Sequence, residues 1–236
     1  MANPRTPAQR RVARSRWLAA ALLLVLLGGG AVWWKAQTWT PSRNDFPVQG
    51  VWLSAIDGPI EWPALKSTGA DFAYLTATHG AGMRDEGFSA ALEEARKQKI
   101  SVGALHVFDI CAAAEEQAAN FVTTVPRDAD QLPPAVRLDM ATANCPSPPG
   151  EAAMQSELTT FLNQIERHSG KPALLLATAD FEKQYHITAV IDRNVWVEGD
   201  YLIPGYARRP WVMWTANRSL HHPAAEQPLQ WVVVRP

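Results

Sequence analysis

The residues of this 236-residue chain with the types and spacing to do chemistry are acids near the ends of apolar runs. In Leu132-Pro133-Pro134-Ala135-Val136-Arg137-Leu138-Asp139-Met140, the apolar Val136, Leu138 and Met140 alternate with Arg137 and Asp139. A strand here turns an apolar face one way and an Arg/Asp face the other. Asp57, Asp109, Glu198 and Asp200 lie near the ends of other apolar runs. Hydrolysis of a glycosidic bond needs two acids on neighbouring strand ends, one to protonate the leaving oxygen and one to act as base or nucleophile. Spacing alone does not choose the second acid to go with Asp139.

Other chemistries lack their signatures. Gly80-Ala81-Gly82 has the spacing of neither nucleotide fingerprint, and no Gly-x-Ser-x-Gly nucleophile elbow occurs. His221-His222 is an adjacent pair on a loop with no flanking carboxylate cluster, and no Cys-x-x-Cys is present, so no metal or cofactor is expected. His106, in the middle of Ala104-Leu105-His106-Val107-Phe108, fits a hydrogen-bonded core histidine as well as a ligand.

Positioning these groups requires a scaffold of alternating strands and helices. Apolar runs predict strands over 48–54, 72–78, 101–108, 134–139 and 173–178, and later over 195–197, 211–215 and 229–234. Helices are expected over 62–68, 86–98, 112–125, 152–168 and 180–185. The second of these carries Phe88, Ala91, Leu92 and Ala95 on one face. Such alternation implies a parallel sheet closed into a barrel, irregular in its last third, with the acids at one rim.

The composition, 47% hydrophobic and 19% charged, is that of a globular protein. Its net charge of −1 is unevenly spread, because Arg5, Arg10, Arg11, Arg14 and Arg16 open the chain. Beyond them 17 of the 22 basic residues face all 23 acidic ones, a balance that argues against nucleic acid as a partner. Residues 17–34 form an uncharged apolar run with tryptophan at both ends, and Lys35 follows. That length and those flanks predict a single membrane span with the arginines in the cytoplasm. A cleaved signal peptide is the rival, although Val32-Trp33-Trp34 carries the apolar run past the candidate cleavage region. The expected layout is a basic cytoplasmic segment (1–16), an anchor in the inner membrane (17–34), a tether (35–45) and a periplasmic barrel (46–236). Cys111 and Cys145 each follow a predicted strand by a few residues, so in an oxidising compartment they are expected to pair.

Taken together, the motifs resemble the glycoside hydrolase family 25 lysozymes, (β/α)-barrel muramidases that cleave the glycan of peptidoglycan. Gly50-Val51-Trp52-Leu53-Ser54 through Ile60-Glu61-Trp62 is similar to the opening Gly-Val-Asp-Val-Ser... Ile-Asp-Trp of that family. Residues 72–80 resemble its second strand, and Asp85, Phe88, Gly103 and His106-Val107-Phe108 resemble its Asp-x-x-Phe and Gly-Ala-Tyr-His-Phe. Gln117 to Phe121, Leu132-Pro133-Pro134, Gly170-Lys171-Pro172, Trp196 and Trp211 to Trp214 continue the pattern. The resemblance implies an irregular α/β TIM-like barrel preceded by one transmembrane helix, and a site that meets peptidoglycan glycan.

The departures fall on the acids. The family's first site aspartate aligns with Trp52, the glutamate ending the second strand with His79, and the tyrosine of Tyr-His-Phe with Leu105. Counting from Pro133-Pro134, its Asp-x-Glu falls on Arg137-Leu138-Asp139; a register shifted by two would place it on Asp139 and Ala141. Trp214-Thr215-Ala216 lacks the Gln-Tyr after tryptophan, and 229–234 lacks an aspartate. An opposite charge favours a carboxylate's ionised form, whereas a general acid holds its proton near working pH. Shortening Glu to Asp also withdraws the acid by a methylene, and a misplacement of about 1 Å can cost roughly a hundredfold. Weak or absent hydrolysis is therefore expected, with the cleft holding glycan or an envelope protein through Trp52, Asp57, His79, His106, Arg137, Trp196, Glu198 and Trp214. Trp52, Trp196 and Trp214 are the candidate stacking faces. If hydrolysis persists, Asp139 is the acid and Asp57, Glu198 or Asp200 supplies the second carboxylate; a groove plugged by Trp52 and the Arg137-Asp139 pair would instead make the barrel a periplasmic scaffold that interacts through its surface.

Overall fold

The computed structural model describes residues 7–142 and 145–236. Residues 1–6, and with them Arg5 of the basic cluster, lie outside the described residues. The chain separates into two compact units, 1–39 and 40–236.

The first unit is one helix, α1 (Pro7–Gln37), with Trp17, Leu22 to Leu27 and Val32 to Trp34 all exposed. Its 31 residues give it a length of roughly 46 Å, more than the roughly 30 Å hydrocarbon core of a bilayer. The apolar window, Ala20–Gln37, sits three residues later than the 17–34 read from the sequence.

The second unit is a closed barrel. Its strands are β1 (Gln49–Leu53), β2 (Phe72–His79), β4 (Ser101–Phe108), β5 (Ala135–Leu138), β6 (Leu174–Ala177), β7 (Asn194–Glu198), β8 (Trp211–Leu220) and β9 (Leu229–Val234). A two-residue β3 (Met83–Arg84), absent from the strands read in the sequence, is added to β2 as an antiparallel ribbon. In the described residues the order β1-β9-β8-β7-β6-β5-β4-β2 closes through parallel pairing of β1 with β2. The departure from a parallel sheet falls on the last strand, within the third expected to be irregular, because β9 runs antiparallel to both β8 and β1. The connection 221–228 holds no helix, and a parallel return would need a crossover of a dozen residues or more.

Helices α2 (Trp62–Ser67), α3 (Phe88–Lys97), α4 (Ala114–Thr124), α5 (Glu151–Ser169), α6 (Ala179–Tyr185) and α7 (Ile187–Val190) complete the unit. Phe88, Leu92 and Ala95 form the buried stripe of α3. The barrel interior is filled by Trp52, Tyr74, Leu105, Val107, Leu176, Trp196, Met213 and Val232. Gly103 is required there, since a Cβ would stand 2.3 Å from the Tyr74 ring. A register shift between Thr76 and Thr78 re-aims the end of β2. Thr76 accepts from Trp52 Nε1 inside the barrel (2.9 Å), and Thr78 meets His106 under the helices (2.7 Å).

The tether read over 35–45 is corrected in its second half. Pro41 is buried, and the Gln49 amide donates to the carbonyls of Pro41 and Phe46, both at 2.9 Å. Residues 40–45 thus belong to the barrel unit.

Candidate functional site

The C-terminal ends of the parallel strands gather the charged residues, as in other barrels of this kind. Arg137 follows Ala135 on the inward face of β5, and Glu198 follows Trp196 on the inward face of β7. The Arg137 guanidinium lies over the Trp52 ring, 4.8 Å from its centroid, donates through Nη1 to Glu198 Oε1 and through Nη2 to Asp139 Oδ2 at 2.8 Å. The Glu198 side chain is only 5% exposed, against 18% for Arg137 and 21% for Asp139. The other Asp139 oxygen accepts from the Ala141 backbone at 3.0 Å. One cation therefore bridges Asp139 and Glu198.

A residue that the sequence reading missed fixes this geometry. Tyr206 donates to the Ala177 carbonyl (2.7 Å) and accepts from the Glu198 backbone N–H (2.9 Å), which straps the ends of β6 and β7 together. Burial holds its phenol well above the ordinary tyrosine value, so it keeps its proton. A tyrosine in the loop 199–210 is the only trace of this role in the sequence.

The remaining candidates are held in other work. Asp57 accepts from the Ser54 backbone N–H (2.6 Å) and hydroxyl (3.1 Å), closing a short 3-10 turn; burial raises its carboxyl, against those two bonds. Asp200 accepts from the Arg218 backbone and guanidinium, bonds that outweigh burial and hold its carboxyl below the ordinary value. Asp109 accepts from the Cys111 N–H at 2.9 Å. His79, half-buried at the end of β2, has its imidazole lowered by burial, opposed by the charge of Asp85. His106 faces away from the barrel interior, beneath the Phe161 ring.

Burial corrects the role expected of the tryptophans and of His106. Trp196 is fully buried, with Nε1 on Thr215 Oγ1 at 2.8 Å, and its ring meets Tyr74 edge-on. Trp52 is covered by Arg137, and Trp214 packs on Phe46 outside the barrel wall with Nε1 on the Gly199 carbonyl. None of the three offers a free ring face, so they build the wall and do not stack on a ligand. His106, wholly enclosed, contacts no ligand either.

Cys111 and Cys145 form the expected disulfide, with a Cα–Cα distance of 5.7 Å and a sequence separation of 34. It ties the segment after β4 to the loop after β5. A closed loop of that size is worth roughly 3–4 kcal/mol by the chain-entropy account. Thermal unfolding of the Cys111→Ser/Cys145→Ser variant is expected to show that loss, and a midpoint equal to the parent's would refute it. Among the described residues no cluster of three His, Cys, Asp or Glu could hold a metal.

The sequence profile of the family described as glycosyl hydrolases family 25 matches residues 51–219. Lysozyme M1 of Streptomyces globisporus is 42% identical over 59 residues, which cover 25% of this chain and 20% of that protein. A family 25 glycosyl hydrolase from Bacillus anthracis superposes with a TM-score of 0.72 at 25% identity, over 84% of this chain and 92% of that one. The bacterial lysozyme of Streptomyces coelicolor superposes with a TM-score of 0.69 at 21% identity, over 79% and 91%.

Proposed function

Because the chain belongs to glycosyl hydrolase family 25, we propose that its barrel engages the glycan of peptidoglycan and holds it without cleaving it. The observation that carries this reading is the Arg137 bridge between Asp139 and Glu198. A pair of hydrolytic acids must leave room between them for the sugar carbon, and for water when the mechanism inverts. Here a guanidinium fills that space, and a group that never releases its proton cannot act as the general acid. The other acids of this rim, Asp57, Asp109 and Asp200, are each engaged in bonds that shape a turn or loop.

In the proposed layout residues 1–16 lie in the cytoplasm, α1 anchors the chain in the inner membrane across 17–34, and the barrel works in the periplasm. The arginines before the apolar run support that orientation. The disulfide supports an oxidising compartment. No nucleic acid takes part.

The test uses the full chain in detergent micelles with protein-free peptidoglycan sacculi, beside Asp139→Ala and an active family 25 lysozyme. Co-sedimentation without release of soluble muropeptides is expected. Release that disappears in Asp139→Ala would overturn the non-cleaving reading and assign the acid. Neither release nor co-sedimentation would leave an envelope protein as the partner.

A further inference from the structure

The loop that follows Glu198 carries three consecutive apolar residues at the rim of the barrel: Tyr201, Leu202 and Ile203 are 41%, 78% and 46% exposed. Connecting segments are ordinarily polar at their tips, and an exposed apolar run of this length is a fault unless something binds it. The loop is also held rigidly. The Gly199 and Tyr201 N–H groups donate to the carbonyls of Thr215 (3.2 Å) and Ala216 (2.8 Å) on β8, and Trp214 Nε1 donates to the Gly199 carbonyl (2.7 Å). Asp200 anchors it further through three bonds from Arg218.

Tyr201 sits in the left-handed region at φ +64°, where a side chain with a Cβ is strained. A strained residue held in place by its surroundings belongs to the class of conformations that cluster at ligand clamps. On other loops of the same rim, after β1 and in β3, Ile56 and Met83 are 88% and 66% exposed. The face thus has apolar edges around a charged centre of Arg137, Asp139 and Glu198, the reverse of a protein interface, whose centre is apolar and whose rim is polar.

We propose that Tyr201, Leu202 and Ile203 form a pre-set apolar grip for the glycan strand. The Tyr201 ring takes the C–H face of a sugar, and Leu202 and Ile203 take its acetamido methyl groups. This rests on the glycan-holding reading above and supplies the stacking surface that the buried tryptophans cannot. The rigidity of the loop makes the contact cheap in entropy, since little is left to order on binding.

The test measures co-sedimentation of the full chain in detergent micelles with protein-free sacculi. Tyr201→Gly removes the ring while glycine keeps the left-handed backbone, and Leu202→Ser/Ile203→Ser removes the two aliphatic tips. Val190→Ser, at the last residue of α7 and 55% exposed, controls for general stickiness. Each loop variant is expected to weaken binding at least tenfold with the unfolding midpoint kept, and Val190→Ser to leave it unchanged. Sacculi binding that survives both loop variants would overturn the grip while leaving the glycan reading intact. A parent chain that fails to bind sacculi would overturn both. Loss of self-association in light scattering, with sacculi binding unchanged, would assign the loop to a second copy of the chain and overturn the proposal.

Discussion

Replacing Arg137 by alanine is expected to cost about 3–5 kcal/mol of stability, the range seen when one member of a buried ion group is removed. Wild-type Arg137 reaches Glu198, Asp139 and the Trp52 ring at once. Without it Glu198, whose side chain is 5% exposed, loses its cation while having little access to water. Asp139 is more exposed and keeps its bond from Ala141, so most of the penalty falls on Glu198. The double variant Arg137→Met/Glu198→Leu removes the cation and the acid it leaves stranded. It is expected to lose clearly less than Arg137→Ala alone, because an apolar pair of similar volume needs no counter-charge. Urea denaturation of residues 40–236 measures both. An Arg137→Ala variant within about 1 kcal/mol of the parent would mean that water already solvates the triad and that the arginine does not close the site.

The Arg137 triad shows where the sequence was readable and where it was not. The alternation of Val136 and Leu138 with Arg137 and Asp139 placed the charges on one face of a strand, and both lie at the expected rim. That Glu198 would be the acid across from Asp139 was not legible, because the arrangement depends on how β5, β6 and β7 stand in register, with Arg137 and its partner Glu198 61 residues apart along the chain. The tryptophans were misjudged for a related reason. An aromatic in a short motif reads the same whether its ring lines a groove or fills the barrel. Here the Thr76 and Thr215 hydroxyls satisfy the indole N–H groups of Trp52 and Trp196 inside the wall. Helix α3 and the disulfide were legible, since a 3.6-residue period and two cysteines after adjacent strands carry their own local geometry. The exposed triplet of 201–203 was visible as letters, but only the structure shows the bonds that tie its loop to β8.

Stability is expected to fall steadily as pH drops below about 6.5, chiefly through His106. The side chain is fully buried, and desolvation takes its imidazole down to about 3; the bond to Gln117 opposes this and the nearby His79 adds to it. Its surroundings suit the neutral ring: the Thr78 hydroxyl donates to Nδ1 at 2.7 Å, and Nε2–H donates to Gln117 Oε1 at 3.1 Å. Gln117 is locked in that orientation, since its Nε2 donates to the carbonyls of Asp109 and Ala112 and its oxygen also accepts from the Asp109 N–H. An imidazolium would therefore have a proton on Nδ1 that finds only the Thr78 oxygen, deep beneath Phe161. The unfolded chain, by contrast, protonates His106 near 6.5. Between about 6.5 and about 3 the unfolded state binds one proton more than the folded state, so the sign is a loss of stability with acid, roughly 1.4 kcal/mol per pH unit. His79 and His222, both lowered by burial, and Asp200, held low by Arg218, each add a smaller slope of the same sign. His106→Gln separates the contributions. The variant is expected to be less stable at pH 7, where the Thr78 and Gln117 bonds are lost or bent, and to show a slope between pH 6 and 4 that is shallower by about one proton. Urea denaturation across that range reads the difference directly. A parent slope retained in His106→Gln would show that the buried imidazole is not the group that titrates, and that the acid sensitivity of the barrel arises at its half-buried histidines.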